Sequence, residues 1–152
     1  MAFASLFFNE ATGYIKNLIS GVVYMKTHEV VVGAKGEHAD LLYLHEAGVP
    51  SRHIPPRPVL TPAMAQSDVK KKISRHIRSA MFQAIIRADT VSAEAELKKA
   101  GMEGEKACKK YITDGTNLAP NAPSTIARKG SSVPLIDTGA LLNSITYEIR
   151  GK

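Results

Sequence analysis

The apolar positions near the N-terminus recur with the spacing of a helix. Asn9 and Glu10 interrupt the apolar run and no basic segment precedes it, so the stretch does not have the pattern of a secretory signal peptide. We interpret residues 1–21 as an amphipathic arm or helix that packs on the protein or on a neighbour. The apolar positions that define it are Phe3, Leu6, Phe7, Tyr14, Ile15 and Leu18.

Two longer stretches with helical periodicity occupy the middle of the chain. The first begins near Ser67 or Asp68, either of which can act as an N-cap, and the second spans residues 92–112. The pattern predicts an antiparallel helical pair, or one long helix with a bend near Asp89. Their apolar stripes are Val69, Ile73, Ile77, Ala80 and Ala84 in the first stretch and Ala93, Leu97, Ala100, Ala107 and Tyr111 in the second.

Shorter segments have the pattern of strands. Residues 22–32 are rich in β-branched side chains and predict one strand or a bent pair. A turn at 33–38 and a short helix at 39–48 follow. At the other end, residues 144–150 alternate apolar and polar side chains and predict a half-buried strand.

Two segments show neither the helical spacing of apolar residues nor the alternation that is typical of a strand. Residues 49–64 contain five prolines, which suit neither a helix interior nor a central strand, so we expect a stiff, extended connection. Residues 114–132 are expected to form a long loop. Before the last strand, Asp137 or Thr138 is predicted to cap a short helix at 137–144, with a tight turn at Gly139. Leu141, Leu142 and Ile145 are expected to enter the core.

The charge permits several partners without choosing among them. A net charge of +6 and a pI near 9.5 suit nucleic acid, an anionic surface or an acidic protein. The basic face at 70–78 has no interleaved aromatic side chains for base stacking. The single cysteine, Cys108, excludes an internal disulfide and is interpreted as a small apolar residue on a helix face. No apolar run is long enough to predict a transmembrane helix.

The sequence lacks the spacing of known catalytic and metal motifs. His45 and Glu46 begin like a zinc-protease motif, but Val49 stands where the second histidine is required. Ser124, Thr138 and Ser144 are not in a nucleophile elbow and have no matching His–Asp spacing. We therefore expect no enzymatic activity, no cofactor and no metal.

Two segments carry a family resemblance. "LHEAGVPSRHIPPRPVL" resembles the His-Glu-aromatic-Gly … Ile-Pro-x-Arg-Pro-Phe-Leu signature of tailed-bacteriophage neck and tail-completion proteins, also called virion morphogenesis proteins. "NAPSTIARKGSSVPLIDTGALLNSITYEI" is similar to the second signature of that family. Ala47 replaces the usual aromatic residue and Val59 the usual phenylalanine. The resemblance covers residues 30–150 and leaves the first segment outside.

The resemblance implies a non-enzymatic virion component. Family members form rings, commonly six-fold, at the head–tail junction or the head-proximal end of the tail. The implied fold is α+β, with a small, mostly antiparallel sheet, a helical hairpin and long proline-rich loops. On this interpretation residues 22–152 form a single domain after the arm.

The resemblance also implies the partners and the location. The partners are other copies in a hexameric ring and neighbouring neck, connector or tail proteins, such as a tail-tube, adaptor or stopper protein. Non-specific contact with DNA in the channel is compatible with the basic charge, and no membrane partner is expected. The implied location is the virion neck, after assembly in the host cytoplasm. The competing hypothesis is a basic nucleic-acid-binding module that acts during DNA packaging.

The same two segments supply the candidate interface and structural residues. Arg57 lies between prolines that hold its backbone, and its planar guanidinium suits a carboxylate or a set of carbonyls. The loop and last strand are expected to lie across a neighbour by β-addition, in a heterologous contact that closes by rotation. The candidates are Arg52, Ile54, Pro55, Arg57, Pro58, Arg128, Lys129, Asp137, Thr138, Gly139, Leu141 and Ser144.

Overall fold

The computed structural model describes the backbone of residues 2–151 and the side chains of residues 12–151. The fold is α+β, as expected, with helices packed around a two-stranded antiparallel sheet. The elements are α1 (Ala2–Thr27), β1 (His28–Ala34), α2 (Glu37–Ala47), α3 (Leu60–Ala65), α4 (Ser67–Met81), α5 (Thr90–Asp114), α6 (Pro123–Lys129), α7 (Ala140–Ser144) and β2 (Ile145–Gly151).

The first helix is longer than the sequence pattern indicated. The predicted strand at 22–32 is wrong in its first half, because α1 continues to Thr27 and β1 begins only at His28. Gly21 lies so close to the backbone of Ala84 that any Cβ there would overlap the Ala84 carbonyl. This contact with a distant segment favours a helix where the β-branched residues suggested a strand. The boundary proposed at residue 21 lies inside α1, and the division into arm and domain stays a prediction.

The sheet pairs the strand that follows α1 with the last strand of the chain. Strands β1 and β2 pair antiparallel over their whole length, from His28 with Gly151 to Ala34 with Ile145. Helix α5 packs on the sheet through its glycines, and a Cβ on Gly104 would lie 2.8 Å from Val32 Cγ2. The predicted last strand is confirmed, since β2 spans Ile145–Gly151. Its first residue, Ile145, is fully buried.

The predicted antiparallel pair of helices is also confirmed. Lys72 Nζ of α4 lies 3.5 Å from Glu103 Oε2 of α5, and His76 Nδ1 lies 2.8 Å from Glu96 Oε2. The later residue of α4 thus contacts the earlier residue of α5, so the helices run in opposite directions. A π-helical turn at Phe82–Ile86 extends α4 before the chain reverses. The predicted N-cap at Ser67 or Asp68 is wrong, because α4 begins directly after Gln66 with no side-chain cap.

The reversal between the two helices occurs where the sequence suggested a bend. Asp89 precedes α5, and its carboxylate accepts a hydrogen bond from the Ser92 backbone N–H at 2.9 Å. This bond satisfies one of the free N–H groups in the first turn. Hydrogen bonding from the Ser92 side chain, and then from its backbone N–H, holds the pKa of Asp89 below its ordinary value.

The core consists of aliphatic and small side chains in two clusters. The larger lies between α5 and the proline-rich segment, and the smaller lies between the two long helices and the sheet. Cys108 is fully buried in the larger cluster, and this burial raises the pKa of its thiol to about 11. The thiol therefore stays protonated at neutral pH and packs as a small apolar group, as predicted.

Two connecting segments contain more helix than the sequence indicated, and a third contains less. The segment at 49–64 contains a short 3-10 turn at Pro50–Arg52 and ends in α3, whose first turn accommodates Pro62. The expected loop at 114–132 contains α6, which has Pro123 at its start and Gly130 in a left-handed conformation after its end. The last short helix begins at Ala140, later than predicted. Within the described residues, no helix has both the length and the apolar character needed to cross a membrane.

Candidate functional site

The first signature segment folds back on α2 as a tight loop. Val49 and Ile54 form an isolated antiparallel bridge, with N–H to carbonyl distances of 2.9 and 3.1 Å. Gly48 has a positive φ of 72°, and a Cβ there would lie 2.7 Å from the Pro56 nitrogen. The Arg57 backbone N–H then donates to the carbonyl of His45 at 2.6 Å. These bonds place Arg57 beside the last turn of α2.

The Arg57 side chain joins this loop to the second signature region. Its Nε donates to the carbonyl of Ala119 at 2.7 Å and its Nη2 donates to the carbonyl of Pro120 at 2.9 Å. The residue is only 7% exposed, and this burial lowers the pKa of its guanidinium. Of the two kinds of partner that the sequence suggested, the structure therefore contains the set of carbonyls. The planar guanidinium holds the loop that precedes α6 against the proline-rich segment.

Glu46 makes a contact that sequence reasoning missed. Its Oε1 accepts hydrogen bonds from the backbone N–H groups of Val59 and Leu60, at 2.7 and 2.8 Å. These are among the free N–H groups at the start of α3, so the carboxylate of one helix caps another. A local sequence pattern does not predict such a cap, because the two backbone N–H donors lie 13 and 14 residues after the glutamate that accepts from them.

A groove of about 900 Å³ opens beside Arg57, and we call it the basic groove. Its walls come from α2, the proline-rich loop, the loop before α6, the end of α6 and the turn before α7. All but two of the twelve candidate residues line it: Arg52, Ile54, Pro55, Arg57, Arg128, Lys129, Asp137, Thr138, Gly139 and Leu141. The two signature segments thus meet at one surface, although more than sixty residues separate them.

The two remaining candidates lie outside the groove. Pro58 is exposed next to Arg57. Ser144 ends α7, where its Oγ donates to the carbonyl of Leu141 at 2.7 Å and its own carbonyl accepts from the Lys35 N–H at 3.1 Å. The bond from Lys35 connects α7 to the segment after β1, and both bonds are consistent with a structural role for Ser144.

The turn before α7 differs in detail from the prediction. Gly139 has a φ of 81°, which confirms the expected tight turn. Asp137 does not cap the helix, since α7 begins three residues later. The Thr138 hydroxyl accepts from the Ala140 N–H at 3.3 Å, which is a turn bond on the exposed surface and not an N-cap. Leu141 points into the core and is almost fully buried, as expected.

The groove has an excess of positive charge without internal compensation. Arg52, Arg57, Arg128 and Lys129 line it, against the single carboxylate of Asp137. Among the described residues, none of these four cations forms a salt bridge. The Lys129 ammonium reaches only the Val133 carbonyl, at 3.5 Å.

His45 lies at the base of this positive region. Its Nδ1 is buried and has no hydrogen-bond partner in the part of the chain that the structure describes. Burial lowers the pKa of His45, and the positive charges of Arg57 and Lys129 lower it further. The imidazole is therefore neutral at neutral pH, and a buried polar atom adjoins the groove without a partner.

Strained backbone also borders the groove. His53 and Leu135 line it and have φ values of 54° and 64°, a region that side chains other than glycine rarely adopt. Such strain persists only where the surrounding structure enforces it, and it is common at functional sites. The loop shape around the groove is thus imposed by the tertiary contacts.

Sequence reasoning missed the contribution of α2 to this site. His38, Leu41 and His45 line the groove from positions spaced i, i+3 and i+7, which place them on one face of a helix. That spacing is the signal that could have indicated them. Across the described chain, no group of three or more His, Cys, Asp or Glu side chains is arranged to hold a metal ion.

Comparison with known proteins adds no relative to this description. No protein family, no curated protein and no solved structure matches the chain. What the site can do follows from its geometry and charges.

Proposed function

We propose that this chain is a structural virion protein that forms a ring of identical copies at the head–tail junction, or at the head-proximal end of the tail, of a tailed bacteriophage. The resemblance of the two signature segments motivates the proposal. The observation that carries it is the apolar surface of α1, which its own chain leaves largely uncovered. The proposal involves no catalytic step and no cofactor.

Helix α1 has an apolar face wider than the part that the protein covers. Tyr14, Leu18 and Val22 form one row at i, i+4 and i+8, and residues 15, 19 and 23 form the next. Tyr14 is 60% exposed and Ile19 is 58% exposed. The helix has 26 residues and is therefore about 39 Å long. Gly21 and Tyr24 make contacts with the body of the protein, and Gly21 lies beside the first row, three residues after Leu18.

Exposed apolar side chains continue onto the element that receives α1. The π-helical turn and the end of α4 surround Ala84, against which Gly21 packs. We call the combined surface the apolar flank. Its members are Tyr14, Ile15, Ile19, Val22 and Val23 of α1 with Ile77, Met81, Phe82 and Ile86. Exposed large apolar side chains on neighbouring elements are typical of a site of association.

A second copy of the chain is the occupant that this surface suits. The flank consists of two different elements, a long helix and the helical turn beneath it, so the helix of one copy can pack on the turn of the next. Such a contact is heterologous, and it forms a closed ring if the rotation between copies is an integral fraction of a full turn. Other neck, connector or tail proteins then bind the assembled ring.

A charge substitution on the flank tests this proposal. We expect Ile15→Asp combined with Ile19→Asp to abolish assembly, because two carboxylates would be buried without partners. The matched control is Asn17→Asp with Ser20→Asp, which adds the same charges at exposed polar positions of the same helix. Native mass spectrometry would measure the number of copies, with and without partner proteins, and imaging of virions would locate the ring. Unaltered ring assembly by the flank variant would contradict the proposal.

A nucleic-acid-binding module is the second candidate, and one observation favours it. Lys70, Lys71, Arg75 and Arg78 are exposed on α4, and none forms an ion pair within the described residues. A monomer that binds DNA with steep salt dependence, weakened by Arg75→Ala with Arg78→Ala, would support this alternative. If the chain acts through ring assembly, the same substitutions should leave the ring intact.

A further inference from the structure

We propose that the basic groove is a docking site for an acidic segment of a partner protein, with carboxylates bound by Arg52 and Arg128 and apolar side chains packed on the groove walls. This inference concerns a surface other than the apolar flank. It does not require the ring, and it assigns to the groove a class of partner that the proposed function leaves open.

Charge complementarity is the first argument. The cations of the groove outnumber its carboxylates by four to one. On α5, by contrast, several basic side chains have acidic partners, as when Lys98 pairs with Glu94 at 2.7 Å and Lys109 pairs with Glu105 at 2.7 Å. In the groove, the side chains of Arg52 and Arg128 have no hydrogen-bond or ion-pair partner among the described residues. A concave surface with uncompensated positive charge attracts an anionic group.

The hydrogen bonds that Arg57 and Glu46 make do not neutralise the positive charge of the groove. Two N–H donors of Arg57 bind backbone carbonyls, which are neutral. Glu46, the nearest acidic residue on α2, directs its Oε1 away to the start of α3. Asp137 lines the groove but lies outside salt-bridge distance of its basic side chains. Within the described residues, the positive charge of the groove is therefore not neutralised by the protein itself.

The unpartnered nitrogen of His45 supports the same conclusion. Its Nδ1 is buried beside the groove with no hydrogen-bond partner in the described part of the chain. Buried polar atoms are rarely left without a partner in folded proteins. A segment bound in the groove would supply one.

The apolar walls distinguish a peptide from a nucleic acid. Leu41, Ile54, Pro55, Leu135 and Leu141 line the groove alongside the cations. Among the described residues, no phenylalanine, tyrosine or tryptophan lines it, so the large aromatic rings on which single-stranded nucleic acids commonly stack are absent there. A segment that alternates acidic and apolar residues matches both kinds of wall. The prolines of the loop also reduce the conformational entropy lost when the groove becomes rigid.

Fluorescence anisotropy with a labelled peptide of alternating glutamate and leucine would test this proposal. We expect the peptide to bind, and the matched peptide with glutamine in place of glutamate to bind at least about tenfold more weakly. Arg52→Ala with Arg128→Ala should weaken binding of the glutamate peptide by about tenfold or more. Both side chains are exposed and form no hydrogen bond or ion pair among the described residues, so the variant should keep the thermal stability of the parent.

The matched control places the same loss of charge elsewhere. Arg75→Ala with Arg78→Ala removes two exposed arginines from α4, and we expect it to leave peptide affinity unchanged. Equal weakening by both variants would overturn the proposal, because binding would then reflect only net charge. Equal binding of the glutamine peptide, absence of binding by the glutamate peptide, or tighter binding of a single-stranded oligonucleotide of equal charge would each overturn it as well.

The variant of the apolar flank tests the ring proposal and the groove proposal independently. Ile15→Asp with Ile19→Asp should bind the glutamate peptide as the parent does, even though its assembly is lost. Peptide binding by a chain that never assembles would refute the ring alone. Assembly by a chain that binds no peptide would refute the groove alone.

Discussion

Helix α5, which packs against α4, and the basic groove differ in whether their charged side chains have partners. On α5, Lys99 pairs with Glu96 at 2.6 Å and Lys109 with Glu105 at 2.7 Å, so charges are matched within the helix or across to α4. In the groove, Arg52 and Arg128 have no such partner among the described residues. The first arrangement adds a little stability in water, whereas the second leaves the charge available to an external group.

The two regions also differ in how they are packed. Helices α4 and α5 approach each other and the sheet through small residues such as Ala93, Ala100 and Gly101, all of them buried. The groove region instead depends on polar contacts between distant segments, through Arg57 and Glu46. Stability in the first region therefore depends on volume, and in the second on particular hydrogen bonds.

The largest effect is expected for a residue that belongs to both regions. Leu141 lines the groove and is also part of the larger core cluster. Leu141→Ala should lower the free energy of unfolding by about 2–5 kcal/mol, because it leaves a cavity. Chemical denaturation would measure it. The exposed Leu44 is the matched control, and Leu44→Ala should change stability by less than about 0.5 kcal/mol.

Thr138→Ala and Ser144→Ala complete that comparison. Thr138 makes only an exposed turn bond, so its loss should cost less than about 1 kcal/mol. Thermal melts in which Thr138→Ala is as destabilising as Leu141→Ala would contradict the assignment of Leu141 to the core. Ser144→Ala should melt and assemble almost normally. Loss of a hydrolytic activity by Ser144→Ala at unchanged stability would overturn the structural interpretation.

Arg57 tests the dependence of the groove on specific hydrogen bonds. Arg57→Ala removes two charge-assisted bonds to carbonyls, and we expect a loss of about 1.5–3 kcal/mol in the free energy of unfolding. Arg57→Lys keeps the charge but cannot bind both carbonyls with a planar group, so it should recover only part of the loss. Ring assembly, measured by native mass spectrometry, should fall in the same order. Normal assembly by Arg57→Ala would show that the loop before α6 holds its place without this residue.

Gly101 tests the dependence of the helical region on volume. A Cβ at this position would overlap the ring of Tyr147 on β2. Gly101→Ala should therefore cost about 1–3 kcal/mol by overpacking, which exceeds the gain of up to about 1 kcal/mol in helix propensity. Gly13→Ala on α1 is the matched control, since its Cβ would meet nothing within 4 Å, and it should stabilise the chain. Calorimetric melts that move both variants in one direction would argue against close packing of α5 on the sheet.

The smallest effect concerns the pH dependence that His45 contributes. Its pKa is lowered in the folded chain, first by burial and then by Arg57 and Lys129. Above the ordinary histidine pKa of about 6.5 both states are neutral and the full stability is present. As the pH falls below that value, the unfolded chain binds a proton before the folded chain does, so the free energy of unfolding decreases.

His45→Asn should reduce this decrease below about pH 6.5. Denaturation at several pH values would measure it, and an NMR titration of the His45 ring would give the pKa directly. The carboxylates with lowered pKa values, such as Glu96, have the same sign but act at lower pH, below about 4.5. A His45 pKa at or above the ordinary value would contradict the positive potential assigned to the groove.

Local pattern was sufficient for the long periodic elements of this protein. The stripes of α4 and α5, the reversal near Asp89 and the alternation of β2 all depend on neighbours three, four or two residues apart, and each was predicted from the sequence. The turn at Gly139 was predicted for the same reason, since a positive φ is a property of one residue. The α+β fold followed from the resemblance of two segments.

Only the tertiary structure decided where distant residues meet. Val22 and Val23 have β-propensity, but the approach of Gly21 to Ala84 keeps them in α1. The bonds from Arg57 to residues 62 and 63 positions away, and from Glu46 to the start of α3, have no local signature. The bonds of Arg57 hold the first signature segment against the loop that leads into the second, so that residues of both line the basic groove. The sequence alone determined which side chains the chain carries for binding, whereas the long-range contacts determined that they share one surface.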